Sequence, residues 1–129
     1  MNCSSTDDGN VDREDRPERS VNGVQSLTPT ELARRIETGD PIVLLDVRER
    51  EEFALARIEG SQWIPLGELA ARWRELDPMR PIVCICHHGI RSAHAASALE
   101  RWGFREIANL SGGLDRWARE VDPSMPRYR

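Results

Sequence analysis

At 129 residues, with 39% apolar and 31% charged side chains, the chain has the size of one compact domain, and no apolar run approaches the ~18 residues that a membrane-spanning helix needs. The formal charge is -4, and residues 1–23 carry most of it, with Asp7, Asp8, Asp12, Glu14, Asp15 and Glu18 against three arginines. The remainder is nearly neutral and has no basic block for a nucleic-acid backbone. All 18 cationic side chains are arginine, which removes Schiff-base chemistry and a phosphate-loop lysine together. The first residues do not place a basic segment before an apolar one, so no secretory signal is expected and the cytoplasm is the expected compartment. Three cysteines, Cys3, Cys84 and Cys86, are too few for a disulfide framework and suit free thiols in a reducing setting.

Residues 1–23 hold only Met1, Cys3, Val11 and Val21 as apolar side chains, too few to offset the entropy of ordering, and are expected to form a disordered acidic tail. Order is expected from Val24. Thr28 reads as an N-cap, Pro29 as the first helical residue, Glu31 as the partner in a capping box and Leu27 with Leu32 as a hydrophobic staple, giving a helix that stops at Thr38 before Gly39. Pro41–Asp46 is a continuous apolar run, as expected of a strand covered on both faces of a parallel sheet. Gln62–Ile64 reads as a short strand, and Gly67–Glu75 as a helix with Leu69 and Trp73 on one face. Pro81–Cys86 repeats the buried-strand pattern. Ser92–Trp102 reads as a helix with Ala95, Ala98, Leu99 and Trp102 on one side, stopped by Gly103. Glu106–Leu110 completes the strands and Leu114–Glu120 the helices. This alternation predicts an α/β layer fold with a mostly parallel sheet and right-handed crossovers.

Ligands of open parallel sheets bind beyond the carboxyl ends of the strands, where Cys86 falls. The segment Cys86-His87-His88-Gly89-Ile90-Arg91-Ser92 then enters a helix, whose N-terminal amides and dipole favour an anion. An ordinary cysteine is only about 3% thiolate at neutral pH, so such a setting points to a reactive sulfur. Gly89 permits a positive φ, and Arg91 offers a charged donor fork for an oxyanion. His87 and His88 are placed at the mouth of the loop. With His94 they raise the question of a metal, but adjacent histidines on a tight loop are expected to point apart and His94 lies on the helix; no metal and no organic cofactor are expected.

These residues resemble a rhodanese-like domain. Leu44-Leu45-Asp46-Val47-Arg48-Glu49 followed by Glu52-Phe53 is similar to the first family signature, and Ile58-Glu59-Gly60-Ser61 with Ile64-Pro65-Leu66 to its continuation, although Ala56-Arg57 replaces a common glycine-histidine pair. The stretch Cys86 to Ser92 resembles the active-site loop, and Leu110-Ser111-Gly112-Gly113-Leu114 with Trp117 the closing signature. The resemblance covers residues 24–128 and implies a rhodanese-like α/β fold over 24–129, with a central, mostly parallel five-stranded sheet and helices on both faces. It also implies a sulfurtransferase: Cys86 forms a persulfide from thiosulfate or a persulfide donor and passes the sulfur to a thiophilic acceptor, while His87, His88, Gly89, Ile90, Arg91 and Ser92 bind the substrate.

Two alternatives stand beside that reading: a module of this kind that binds a protein without catalysis, and a phosphatase or arsenate reductase. The second is disfavoured because those cysteine loops place five residues before the arginine and this one places four. Cys84 shares a strand face with Cys86 but is too far along it for a bridge, so core packing is expected. Asp46 and Arg48 are expected to form a structural ion pair or to hold the loop by hydrogen bonds rather than to touch substrate. Trp63, Trp73, Trp102 and Trp117 are spread over separate elements and suit packing rather than base stacking. The end of the chain, Trp117 to Tyr128, resembles rhodanese modules attached to ubiquitin-activating-like adenylyltransferases, which implies a ubiquitin-like sulfur carrier or another protein as a possible acceptor.

Overall fold

The computed structural model describes residues 23–128; Cys3 and the expected acidic tail, Gly23 apart, lie outside them. In chain order the elements are β1 (Val24–Leu27), α1 (Pro29–Glu37), β2 (Val43–Asp46), α2 (Arg50–Leu55), β3 (Gln62–Trp63), α3 (Leu66–Arg72) with a 3-10 turn at Trp73–Glu75, β4 (Ile82–Ile85), α4 (Ile90–Arg101), β5 (Ile107–Leu110) and α5 (Gly113–Glu120). The strands form one sheet in the order β1-β5-β4-β2-β3, and every pairing in it is parallel. All carboxyl ends therefore meet at one edge. Asp46 is in register with Trp63 and Ile85, and Leu27 with Leu110, so the segments that leave these residues crowd together there.

The period-two alternation of strands divides the core. Ile82 and Cys84 face one side with Leu45, Leu69, Ala95, Ala96 and Leu99; Val83 and Ile85 face the other with Leu32, Leu114, Trp117 and Ala118. Each fully buried leucine or isoleucine removes enough apolar surface from water to contribute about 1.5–3 kcal/mol. Small residues at Ala95 and Ala96, both wholly buried, let α4 approach the sheet closely. Trp73 stacks on Trp102 at 5.6 Å between ring centroids, which closes the rim of the first layer, as packing rather than base recognition requires.

The capping box forms as expected: the Glu31 amide donates to Thr28 Oγ1 at 3.1 Å and the Thr28 amide to Glu31 Oε1 at 2.8 Å. Two elements were not foreseen. β1 has little apolar signal because, among the described residues, it is an edge strand whose one partner is β5. α2 buries none of its residues, so it has no apolar stripe to read; its start is set by a second capping box, in which the Glu49 amide donates to Glu52 Oε1 at 2.9 Å. A third difference lies at α4, which begins at Ile90 rather than Ser92 because Gly89, at φ +98°, turns the chain into the helix two residues sooner.

Candidate active site

Cys86 follows the central strand β4 and is 1% exposed. Three donors reach its Sγ: the Gly89 amide at 3.0 Å, the Ser92 amide at 3.3 Å and the Ser92 hydroxyl at 3.3 Å. The positive φ of Gly89 aims its amide inward, a conformation that a side chain resists. A Cβ on Gly89 would also press on the Leu110 carbonyl and the Gly112 amide, each at 3.3 Å. From below, α5 holds the loop: the Leu114 amide donates to the Cys86 carbonyl at 2.8 Å and the Asp115 amide to the His87 carbonyl at 3.0 Å. That approach requires glycine at 113, where a Cβ would collide with both carbonyls. The loop is thus held between the N-termini of α4 and α5, with the sulfur facing the α4 side.

Asn109 braces the same loop from β5. Its Oδ1 accepts from the Ser92 hydroxyl and its Nδ2 donates to the Gly89 carbonyl at 3.0 Å, so one side chain holds both residues that contact the sulfur. Cys84, in contrast, is wholly buried and its thiol is pushed up to about 12, first by burial and then by Cys86. It is a packing residue, as expected, and both described cysteines are unbridged.

Arg91 stands at the rim, but its fork is occupied: Nη1 and Nη2 donate to Glu52 at 2.7 and 2.8 Å. Tyr128 joins the pair by donating to Glu52 Oε2 at 3.0 Å while accepting from Arg48 Nη1 at 2.7 Å. Arg48 is fully buried and donates through Nε and Nη2 to Asp46 at 2.8–3.1 Å and through Nη2 to the Ala56 carbonyl. The structural ion pair read from the sequence is present, and it anchors the C-terminal tyrosine over the loop. Trp63 also serves this frame, its Nε1 donating to the Arg48 carbonyl at 2.8 Å.

The Glu52 carboxyl is lowered from 4.5 to about 2, first by the Arg91 hydrogen bonds, with burial opposing and the Glu49 amide and Tyr128 hydroxyl adding to the effect. A folded value below the unfolded one stabilises the fold above about pH 5, and that contribution is lost as the pH falls through 4 toward 2. With Arg91 34% and Glu52 18% exposed, solvent screening leaves it at about 1–2 kcal/mol. Glu52→Gln is therefore expected to lower stability by about that amount at pH 7 and to converge on wild type only as the pH approaches about 2, as read from urea midpoints across that range.

The loop residues named from the sequence divide by position. Gly89 and Ser92 contact the sulfur. His88 and Ile90 are exposed at the rim. His87 is 5% exposed, stacks on Tyr128 at 3.9 Å between ring centroids, and is held below the ordinary histidine range by burial and then by His88, with Asp115, the Tyr128 backbone and Glu52 opposing. The two histidine rings do not point apart as expected; they lie 4.1 Å from each other, because the α5 contacts hold the loop in a tight turn. Glu52, Asn109, Asp115 and Tyr128 were not singled out as site residues, since each reaches the loop from a distant part of the chain.

A parallel α/β sheet whose central strand delivers a cysteine into a glycine-turned loop at a helix N-terminus defines a class of cysteine-loop domains. The family model for the rhodanese-like domain matches residues 28–120, and the chain belongs to that family. It is 35% identical over 108 residues to a Mycobacterium tuberculosis protein named "Probable adenylyltransferase/sulfurtransferase MoeZ", a match that covers 80% of this chain and 27% of that protein. It is 34% identical over 109 residues to the adenylyltransferase and sulfurtransferase MOCS3-1 of Zea mays, covering 79% of this chain and 23% of that one. The chain thus spans about a quarter of the length of these two relatives. A rhodanese-related protein from Thermoplasma volcanium superposes with a TM-score of 0.69 at 33% identity, covering 75% of this chain and 93% of that one. Among the described residues, no helix is long and apolar enough to cross a membrane.

Proposed function

We propose that the chain is a sulfurtransferase that carries a sulfane sulfur on Cys86. The observation that supports this most is the convergence of the Gly89 amide, the Ser92 amide and the Ser92 hydroxyl on one sulfur, an arrangement that solvates a negative sulfur without water. In the first step the Cys86 thiolate attacks the outer sulfur of thiosulfate or of a persulfide. A bond forms between Cys86 Sγ and that sulfur, the donor's sulfur-sulfur bond breaks, and sulfite or a thiolate leaves with the electron pair. In the second, an acceptor nucleophile attacks the terminal sulfur and the Cys86 thiolate leaves. No oxidant, metal or organic cofactor enters the balance.

Ser92 has one hydroxyl proton to serve two neighbours. It donates to Asn109 while Cys86 carries its own proton and turns to the sulfur once Cys86 is a thiolate, which makes Asn109 a positioning residue. Arg91, held by Glu52, lends positive charge to the rim rather than a free fork. Unbridged thiols suit a reducing cytoplasm, and the acceptor proposed from the resemblance of residues 117–128 to adenylyltransferase-attached modules is a protein or a ubiquitin-like sulfur carrier. The test is turnover of the intact protein with cyanide as acceptor and, separately, thiosulfate and a low-molecular-weight persulfide as donor. Thiocyanate formation that saturates with at least one donor is expected; none with either would identify a binding module instead.

A further inference from the structure

We propose that His87, His88 and Asp115 form a binding site for a divalent transition-metal ion of the zinc class on the rim of the cysteine loop. One ligand atom from each lies within 4.8 Å of the other two. A tetrahedral ion with bonds of about 2.0–2.2 Å requires ligand atoms somewhat over 3 Å apart, so modest side-chain rotation closes the set. The independent sign of a missing ligand is His87. Its side chain is almost fully buried, yet among the described residues neither Nδ1 nor Nε2 has a partner at hydrogen-bond distance and angle, the nearby Tyr128 backbone acting on the ring only as a weak polar neighbour, whereas buried polar atoms in folded proteins are nearly always satisfied. The stacked Tyr128 ring packs against the imidazole, so the imidazole is held in place before any ligand arrives.

The backbone brings the third ligand to the same place. The Asp115 amide donates to the His87 carbonyl, which seats the first turn of α5 against the loop and places its carboxylate beside both imidazoles. That carboxylate now accepts from Arg127 at 3.2 Å and lies 3.6 Å from Arg119 Nε. Both arginine side chains are at least half exposed, at 53% and 50%, and water can replace them when an ion takes the carboxylate. Two imidazoles with one carboxylate suit zinc, nickel or copper(II), whereas magnesium and calcium take oxygen ligands. Three protein ligands would leave the fourth position of a tetrahedral ion open. This inference rests on the cluster and is independent of sulfur transfer.

The test is calorimetric titration of the chelator-treated full chain with zinc chloride, in wild type and in a Cys3→Ser, Cys86→Ser background whose one remaining thiol is the buried Cys84. One equivalent is expected to bind in both proteins. On the double-serine background, affinity is expected to fall at least tenfold with His88→Ala and again with Asp115→Asn, and magnesium chloride is expected to produce no binding heat. Both substituted side chains reach solvent, and circular dichroism melts verify that each variant folds. No stoichiometric binding in the double-serine protein, or affinity retained within tenfold in either variant, overturns the site.

Discussion

Cys86→Ser is expected to lose sulfur-transfer turnover by roughly a thousandfold or more, since removal of an enzyme nucleophile leaves only the background reaction. The same substitution should leave the fold intact. The Gly89 and Ser92 amides and the Ser92 hydroxyl that meet Sγ can all meet an Oγ, so no buried donor is orphaned, and serine fills nearly the same volume. Steady-state assays with thiosulfate and with a persulfide donor read the first effect, and thermal melts read the second. A variant that retains more than a tenth of wild-type turnover while melting normally would move the chemistry to another residue. Cys84 is a poor substitute, because its buried thiol is pushed up to about 12.

Asp46→Ala is expected to cause the largest loss of stability. Arg48 has no exposed surface, and Asp46 is equally buried. Removing the carboxylate leaves a buried guanidinium with the Tyr128 hydroxyl and the Ala56 carbonyl as its remaining side-chain-nitrogen partners among the described residues. Breaking such a pair costs about 3–5 kcal/mol. For a domain of this size that lowers the melting temperature by at least about 12 °C. The double substitution Asp46→Leu with Arg48→Met, which removes both charges together, is expected to recover a substantial part of that loss. A single-variant loss below about 1 kcal/mol, measured by urea unfolding, would show that the guanidinium reaches water despite its burial.

The sequence shows the fold most clearly where one local signal suffices. The apolar runs ending at Asp46 and Cys86 mark the buried strands, and Thr28, Pro29 and Glu31 mark the start of α1, because burial on both faces and helix capping each act within a few residues. The tight loop was legible for the same reason: Cys86, Gly89 and Ser92 are neighbours in sequence, and a glycine between a strand and a helix has a clear conformational reason. The weakly amphipathic elements were not. β1 gains its identity from pairing with β5, and α2 is held by a cap rather than by a buried face.

The surroundings of the sulfur were harder to read because they depend on the sheet. Asn109 reaches the loop because β5 pairs with β4 in a register that sets it opposite Cys84, a relation that no local pattern contains. Arg91 reads as an available cation until the fold brings Glu52, from a helix without an apolar stripe, into its fork. Tyr128 looks like part of a terminal tail, yet it bridges Arg48 and Glu52 and covers His87. In each case the residue type was visible and its partner was set by topology. In the folded protein the Arg91 fork is paired with Glu52, a partner that the local sequence pattern does not show.

The central claim is that Cys86 carries the transferred sulfur, and mass spectrometry tests it most directly. The intact protein is treated with thiosulfate and, in parallel, with a persulfide donor, without reductant, and its mass is measured before and after addition of cyanide; peptide mapping then locates the adduct. The expected result is one added sulfur atom on the peptide containing Cys86, localised to that residue rather than Cys84 and removed by cyanide. A sulfur found on Cys84 or Cys3 instead, or no adduct with either donor, would contradict it.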